Sequence, residues 1–192
     1  MLINYDLNET LRYLGYRGVS ADEQTEALIE SVYRELCGVI QPKYIYKIYD
    51  CKKNDEGVTV GGVFFKSRKL SAHLKSAEKI ALFGATLGRG ADVLVKKYSL
   101  TDSARAAVIQ ATAASMTEDL CDKGCTDLQR STAMILRPRF SPGYGDLDLS
   151  TQRDFFTLLD MSKRLGVSLS DSCIMTPSKS VTAFVGLVSN PQ

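Results

Sequence analysis

Two pairs of strand-like segments, each pair joined by only a few turn residues, constrain this chain more than any other feature. Tyr44-Ile45-Tyr46-Lys47-Ile48-Tyr49 is a run of β-branched and aromatic residues, Asn54-Asp55-Glu56-Gly57 is turn chemistry, and Val58 to Phe65 reads as the returning hairpin partner. Ser172 to Pro177 and Ser180 to Val185 repeat the pattern around Pro177-Ser178-Lys179. Hairpins set neighbouring strands antiparallel, so a simple βαβ repeat is excluded. The expected fold class is α+β: a mixed, largely antiparallel twisted sheet with helices packed on it.

The helices are marked by their ends. Asn8 to Tyr16 reads as a short helix stopped by Gly15 or Gly18. Ser20-Ala21-Asp22-Glu23 reads as a capping box opening a second helix, with Leu28, Ile29, Val32, Leu36 and Ile40 at helical spacing and Pro42 as the stop. Thr101 or Asp102 caps a long helix reaching about Leu128, rich in small residues such as Ala104, Ala107, Ala111, Ala114 and Ser115 that allow close approach of a neighbouring backbone. Ser150 is expected to cap a last helix carrying Phe155, Phe156, Leu158, Leu159, Met161 and Leu165 and ending at Gly166. No linker divides the chain. One domain over residues 1–192 is expected, with residues 1–42 as a helical segment packed on it.

Composition narrows the function classes. The formal net charge is +2, and the 24 lysines and arginines alternate with 22 acids instead of forming a basic stripe, so nucleic-acid binding has no support. No apolar run is long enough for a membrane span and no secretory leader is visible, which places the expected location in the cytoplasm. Five cysteines at irregular spacing point to reduced thiols. Cys121 and Cys125 share a helix face, but with His73 as the single histidine no four-ligand metal site is expected and a triad mechanism has no base to use.

Two glycine-containing turns remain. Ile80 to Gly88 reads as a buried strand running into Gly88-Arg89-Gly90 and a helix from Ala91 to Tyr98, which is either an anion cradle at a helix N-terminus or a tight packing turn. Ala133 to Leu136 is a short strand leading into Arg137-Pro138-Arg139-Phe140-Ser141-Pro142-Gly143-Tyr144-Gly145-Asp146. Two prolines lock the backbone, two glycines allow close approach, and the arginines offer planar forks for a carboxylate. This is either a rigid binding turn or a surface turn leaving a strand.

The order Arg139-x-x-Pro142-Gly143-Tyr144, a helix ending at Gly166, then Val167-x-Leu169-Ser170-x-Ser172-x-x-Met175-x-Pro177-x-x-Ser180-Val181 resembles the activation domain of cobalamin-dependent methionine synthase. The Ala85-Thr86-Leu87-Gly88 turn and the small-residue helix look like their counterparts upstream. Leu11 to Tyr16 and the capped helix look like the free-standing form of this domain.

The resemblance implies a repair function. In that family the domain binds S-adenosylmethionine and docks over the corrin of a cobalamin-binding methionine synthase subunit or related corrinoid protein. An electron from a flavodoxin-like or ferredoxin-like donor and a methyl group from S-adenosylmethionine then return cob(II)alamin to methylcobalamin. The chain would be an accessory subunit with no catalytic side chain of its own. The resemblance assigns Arg139 to the methionyl carboxylate, Ser141 and Gly143 to backbone contact with the ligand, and Tyr144 to the space between ligand and corrin, with Thr176 also facing the cobalamin. An ungapped match puts Gln110 where larger members have a glutamate for the ligand's amino group, and Glu118, two turns on, is the alternative. Arg137 has no counterpart and reads as a solvated or sheet-edge cation. Gly145-Asp146-Leu147-Asp148 departs from the cysteine-and-proline segment of the larger enzymes, and the sequence stops at Gln192, without a longer C-terminal extension. Two other readings stay open: a non-catalytic docking module that recognises a corrinoid protein without S-adenosylmethionine, and a methyltransferase independent of cobalamin.

Overall fold

The computed structural model describes residues 1–18 and 20–189; the stop at Gln192 lies outside them. A four-stranded antiparallel sheet in the order β1 (Lys43–Asp50), β5 (Lys79–Thr86), β9 (Ser180–Val188), β6 (Ile135–Leu136) organises the molecule. Its central strand β5 is buried on both faces, which accounts for the continuous apolar run from Ile80 to Ala85. Successive side chains still alternate: Ala81, Phe83 and Ala85 join one core cluster, and Ile80 and Leu82 the other.

The first cluster lies under α5 (Ser103–Thr132), which runs along the sheet and is covered by α1 (Leu7–Tyr13), α2 (Glu23–Cys37) and α4 (Gly90–Tyr98). The small residues of α5 serve this contact. A Cβ on Gly124 would lie 2.6 Å from Cε2 of Phe83. Glu35 of α2 ties that helix to α5 and α4, accepting from Arg105 at 2.8 Å and from the Tyr98 hydroxyl at 2.9 Å. Burial alone would push the Glu35 pKa up, but these contacts prevail and hold it low.

The second cluster fills the opposite face, where α6 (Gln152–Leu159), α7 (Met161–Leu165) and a three-stranded meander of β2 (Lys52–Asn54), β3 (Gly57–Val60) and β4 (Val63–Lys66) meet α3 (Arg68–His73). Phe184 is met edge-on by Phe65 and Phe155, with ring centroids 4.9 and 4.8 Å away. Fold class is therefore as expected, mixed helices with antiparallel sheets.

Both hairpins read from the sequence are corrected. Tyr44–Tyr49 pairs with β5, from Lys43 opposite Thr86 to Asp50 opposite Lys79, and not with Val58–Phe65. The Asn54–Gly57 turn joins β2 to β3 instead, the Asn54 side-chain Oδ1 accepting the N–H groups of Glu56 at 3.0 Å and Gly57 at 2.9 Å. The Gly61-Gly62 pair, both at positive φ, folds Val58–Phe65 back on itself as β3 and β4. At the other end β8 (Met175–Thr176) pairs with β7 (Ser168–Leu169), while β9 goes to the sheet centre between β5 and β6. Pairing with a strand buried on both faces removes more apolar surface from water than a local hairpin would.

Helix ends also differ in detail. Asp22, and not Ser20, caps α2, its carboxylate accepting the Thr25 N–H at 2.7 Å. That helix stops at Gly38, before Pro42. Of the two expected caps, Thr101 and Asp102, it is Asp102 that caps α5, accepting from Arg105 N–H at 2.9 Å. The last helix is two pieces: Asp148 accepts the Ser150 N–H at 2.7 Å, a 3-10 turn over Leu149–Thr151 leads into α6, and left-handed Asp160 turns the chain into α7. The kink lets Phe155 and Leu159 and then Met161 and Leu165 all reach the same core.

Candidate functional site

The site is assembled at the edge of the sheet, beyond β9. Backbone N–H of Arg137 donates to Gly186 at 2.8 Å, and Phe140 exchanges hydrogen bonds with Phe184 at 2.9 and 2.8 Å, so residues 135–140 run along β9 as an irregular edge strand. Neighbouring side chains on such a segment point to opposite faces. Phe140 packs into the second cluster, beside His73, and Arg139 reaches across to α5. The single histidine is used structurally, its Nε2–H donating to the Pro138 carbonyl at 2.8 Å.

Arg139 meets a stripe of α5. Its Nη2 donates to Glu118 Oε2 and its Nη1 to Asp122 Oδ1, both at 2.6 Å, and Cys125 Sγ lies 3.8 Å from Nη1. Burial works against the charge of Arg139, but the hydrogen bond to Asp122 together with Cys121 and Cys125 outweighs it, so the guanidinium is held protonated more firmly than a free arginine. Cys121, fully buried, has its thiol pKa pushed up to about 12, mainly by desolvation with Arg139 opposing. Burial likewise raises Cys125, against the hydrogen bond from Arg139. Among the described residues no group of three or more His, Cys, Asp or Glu is arranged to hold a metal ion.

Beyond Arg139 the chain makes a tight turn. Tyr144 N–H donates to Ser141 O at 3.2 Å, and Gly143 N–H, at φ +87°, donates to Leu147 O at 2.9 Å. Pro142 and Leu147 are buried under the turn, and Tyr144 stands out at its tip, 67% exposed, with its ring 6.4 Å from that of Phe140. Between α5 and this turn lies a cavity of about 550 Å3 lined by Glu118, Asp122, Cys125, Arg139, Ser141 and Tyr144, among others. That is within the range of small-molecule sites, roughly 300–1,000 Å3.

Of the residues singled out from sequence, Arg139, Ser141, Tyr144 and Glu118 converge on this cavity. Gly143 shapes the turn without lining it. Gln110 does not converge: it is exposed on α5, eight residues before Glu118 and so about 12 Å along the axis. Thr176 is exposed on β8, outside the cavity lining. Arg137 is exposed at the sheet edge and lines the cavity rim. Sequence reasoning missed Asp122 and the cavity role of Cys125. Their signal was the spacing 118, 122, 125, which puts the three on one face of the helix.

The other glycine turn is a packing turn. A Cβ on Gly90 would sit 2.3 Å from the Val39 carbonyl oxygen, and Gly88 packs against Gln41, whose N–H donates to Leu87 O at 2.7 Å. No helix among the described residues is long and apolar enough to cross a membrane.

Residues 123–192 match the family model described as vitamin B12 dependent methionine synthase, activation domain. No curated protein matches the chain. The crystal structure of the MetH reactivation domain bound to AdoHcy superposes with a TM-score of 0.72, covering 98% of this chain and 75% of that one at 16% identity. In fold over nearly its whole length, and in sequence signature over residues 123–192, the chain is similar to the activation domain of vitamin B12-dependent methionine synthase.

Proposed function

We propose that the chain binds S-adenosylmethionine and supports reductive methylation of cob(II)alamin on a cobalamin-dependent methionine synthase or related corrinoid methyltransferase. The observation that carries this reading is the arginine between two carboxylates beside the Ser141–Tyr144 turn. An α-amino acid end brings one carboxylate and one ammonium, and this arrangement offers a partner for each: Arg139 for the carboxylate, Glu118 for the ammonium. The bound AdoHcy of the structurally similar reactivation domain has the same amino acid end. Gln110 is left out of this proposal because it lies too far along α5.

Bound S-adenosylmethionine would supply the methyl group, and the partner's cobalt the nucleophile. The chain's residues then have positioning work only: Arg139 and Glu118 orient the amino acid end, Ser141 and Gly143 bring the backbone close, and exposed Tyr144 faces the partner's corrin and shields it from water. Thr176 is proposed for the same corrin-facing surface. The electron would come from a flavodoxin-like or ferredoxin-like donor in the cytoplasm. Residues 1–192 would act as one domain, since the first core cluster joins Ile3, Leu11 and Ile29 to β5 and α5.

Calorimetry with S-adenosylmethionine, followed by spectral recovery of a cob(II)alamin-loaded partner in the presence of a one-electron reductant, tests the reading. Recovery that requires both this chain and S-adenosylmethionine supports it. Tight binding to the partner with no heat from S-adenosylmethionine would replace it with a docking module.

A further inference from the structure

The terminal fork of Arg139 is occupied, because Nη1 and Nη2 each donate to a different carboxylate at 2.6 Å. A ligand carboxylate takes that fork as a bidentate pair by exchange with one of them. The two differ in exposure: the Asp122 side chain is 71% exposed and that of Glu118 is 42%. Release of Asp122 returns a carboxylate to water from which it was barely removed, whereas Glu118 is the less exposed of the two and costs more to part from its cation.

We propose that Asp122 is an internal competitor for the ligand carboxylate, so that its exchange at Arg139 sets the affinity of the site. The inference rests on the proposed amino acid-binding role of the cavity. It predicts a gain from removing a charged residue, the opposite of what a ligand-contacting acid would give. Two effects act on Asp122→Asn in opposite directions. Arg139 is freed from a charged partner, which favours any ligand carboxylate, while the cavity loses a negative charge that attracts cationic ligands. S-adenosylmethionine carries a net positive charge through its sulfonium, and S-adenosylhomocysteine is a neutral zwitterion. The second ligand therefore isolates the exchange.

The test is calorimetry of both ligands with the whole chain, as wild type, Asp122→Asn and Asp119→Asn. Asp119 makes the same charge change on the same helix but pairs with Lys123 and the Asn4 N–H, not with Arg139. Asp122→Asn should tighten S-adenosylhomocysteine about threefold to fivefold, the scale of an exposed ion pair, and S-adenosylmethionine by less, with Asp119→Asn unchanged for the former. Equal or weaker S-adenosylhomocysteine binding to a folded Asp122→Asn overturns the proposal and makes Asp122 a ligand contact. A second measurement needs no ligand: mass-spectrometric rates of Arg139 modification by an arginine-selective dicarbonyl should rise severalfold in Asp122→Asn. If the wild type binds neither ligand, the amino acid-binding reading fails on its own, and an unchanged dicarbonyl rate rejects the guarding pair separately.

Discussion

The carboxylate of Asp146 accepts the backbone N–H groups of Arg68 at 2.9 Å and Lys69 at 3.2 Å, together with the Ser67 hydroxyl, across 78 residues of chain. It thereby fastens the turn that carries Ser141 and Tyr144 to the start of α3. The Ser67 hydrogen bond, with the Lys69 and Arg68 N–H groups, holds the Asp146 carboxyl below its ordinary value. A depressed folded-state pKa stabilises fully above the unfolded value of about 3.9, and that contribution is lost as pH falls through the lower folded value. The melting temperature of Asp146→Asn should accordingly lie below wild type from neutral pH down to about pH 4 and converge with it in stronger acid. Thermal unfolding followed by circular dichroism across that range checks this, and a pH-independent gap would reject it.

Arg139→Lys keeps the charge and loses the planar fork. S-adenosylmethionine affinity should fall about tenfold, the equivalent of one good charge-assisted contact, while the melting temperature stays within a few degrees. Arg137→Lys is the control, since lysine keeps the backbone N–H bond to Gly186 and the side chain is exposed at the cavity rim. Calorimetry on the two variants decides it: equal affinities would remove Arg139 from the site.

Tyr144 is largely exposed at the tip of its turn and touches little core. Tyr144→Ala should therefore melt near wild type and bind S-adenosylmethionine within a few-fold, yet slow spectral recovery of a cob(II)alamin-loaded partner by a larger factor. Stopped-flow absorbance on the reconstituted mixture reads the rate. A loss in affinity as large as the loss in rate would assign the ring to the ligand instead of the partner.

Gly124→Ala sets two known effects against each other. Alanine in a helix interior normally gains about 1 kcal/mol over glycine. Here the new methyl would meet the buried Phe83 ring at 2.6 and 2.8 Å and the Tyr44 ring at 3.1 Å, and overpacking of this kind costs roughly 1–3 kcal/mol. The collision involves a ring locked in the first core cluster, so the variant should be net destabilised, by about 1 kcal/mol or more in urea unfolding. A more stable Gly124→Ala would mean that α5 rides further from the sheet than the structure has it.

What the sequence determined by itself was local. Asp102 opening α5, Gly166 closing the last helix, the apolar run of β5 and the rigid turn after Arg139 were all legible, because caps, glycine conformations and hydrophobic periods are energies felt within a few residues. The tertiary structure decided which distant segments share a surface. Tyr44–Tyr49 left its sequence neighbour for β5 because that strand, itself buried on both faces, has backbone groups that only a neighbouring strand can pair. Arg139 found Asp122 and Glu118 because pairing of residues 135–140 with β9 aims that side chain at one face of α5. No spacing along the chain encodes that meeting; it follows from burying a sheet edge and a helix against each other, and the cavity exists only where they do.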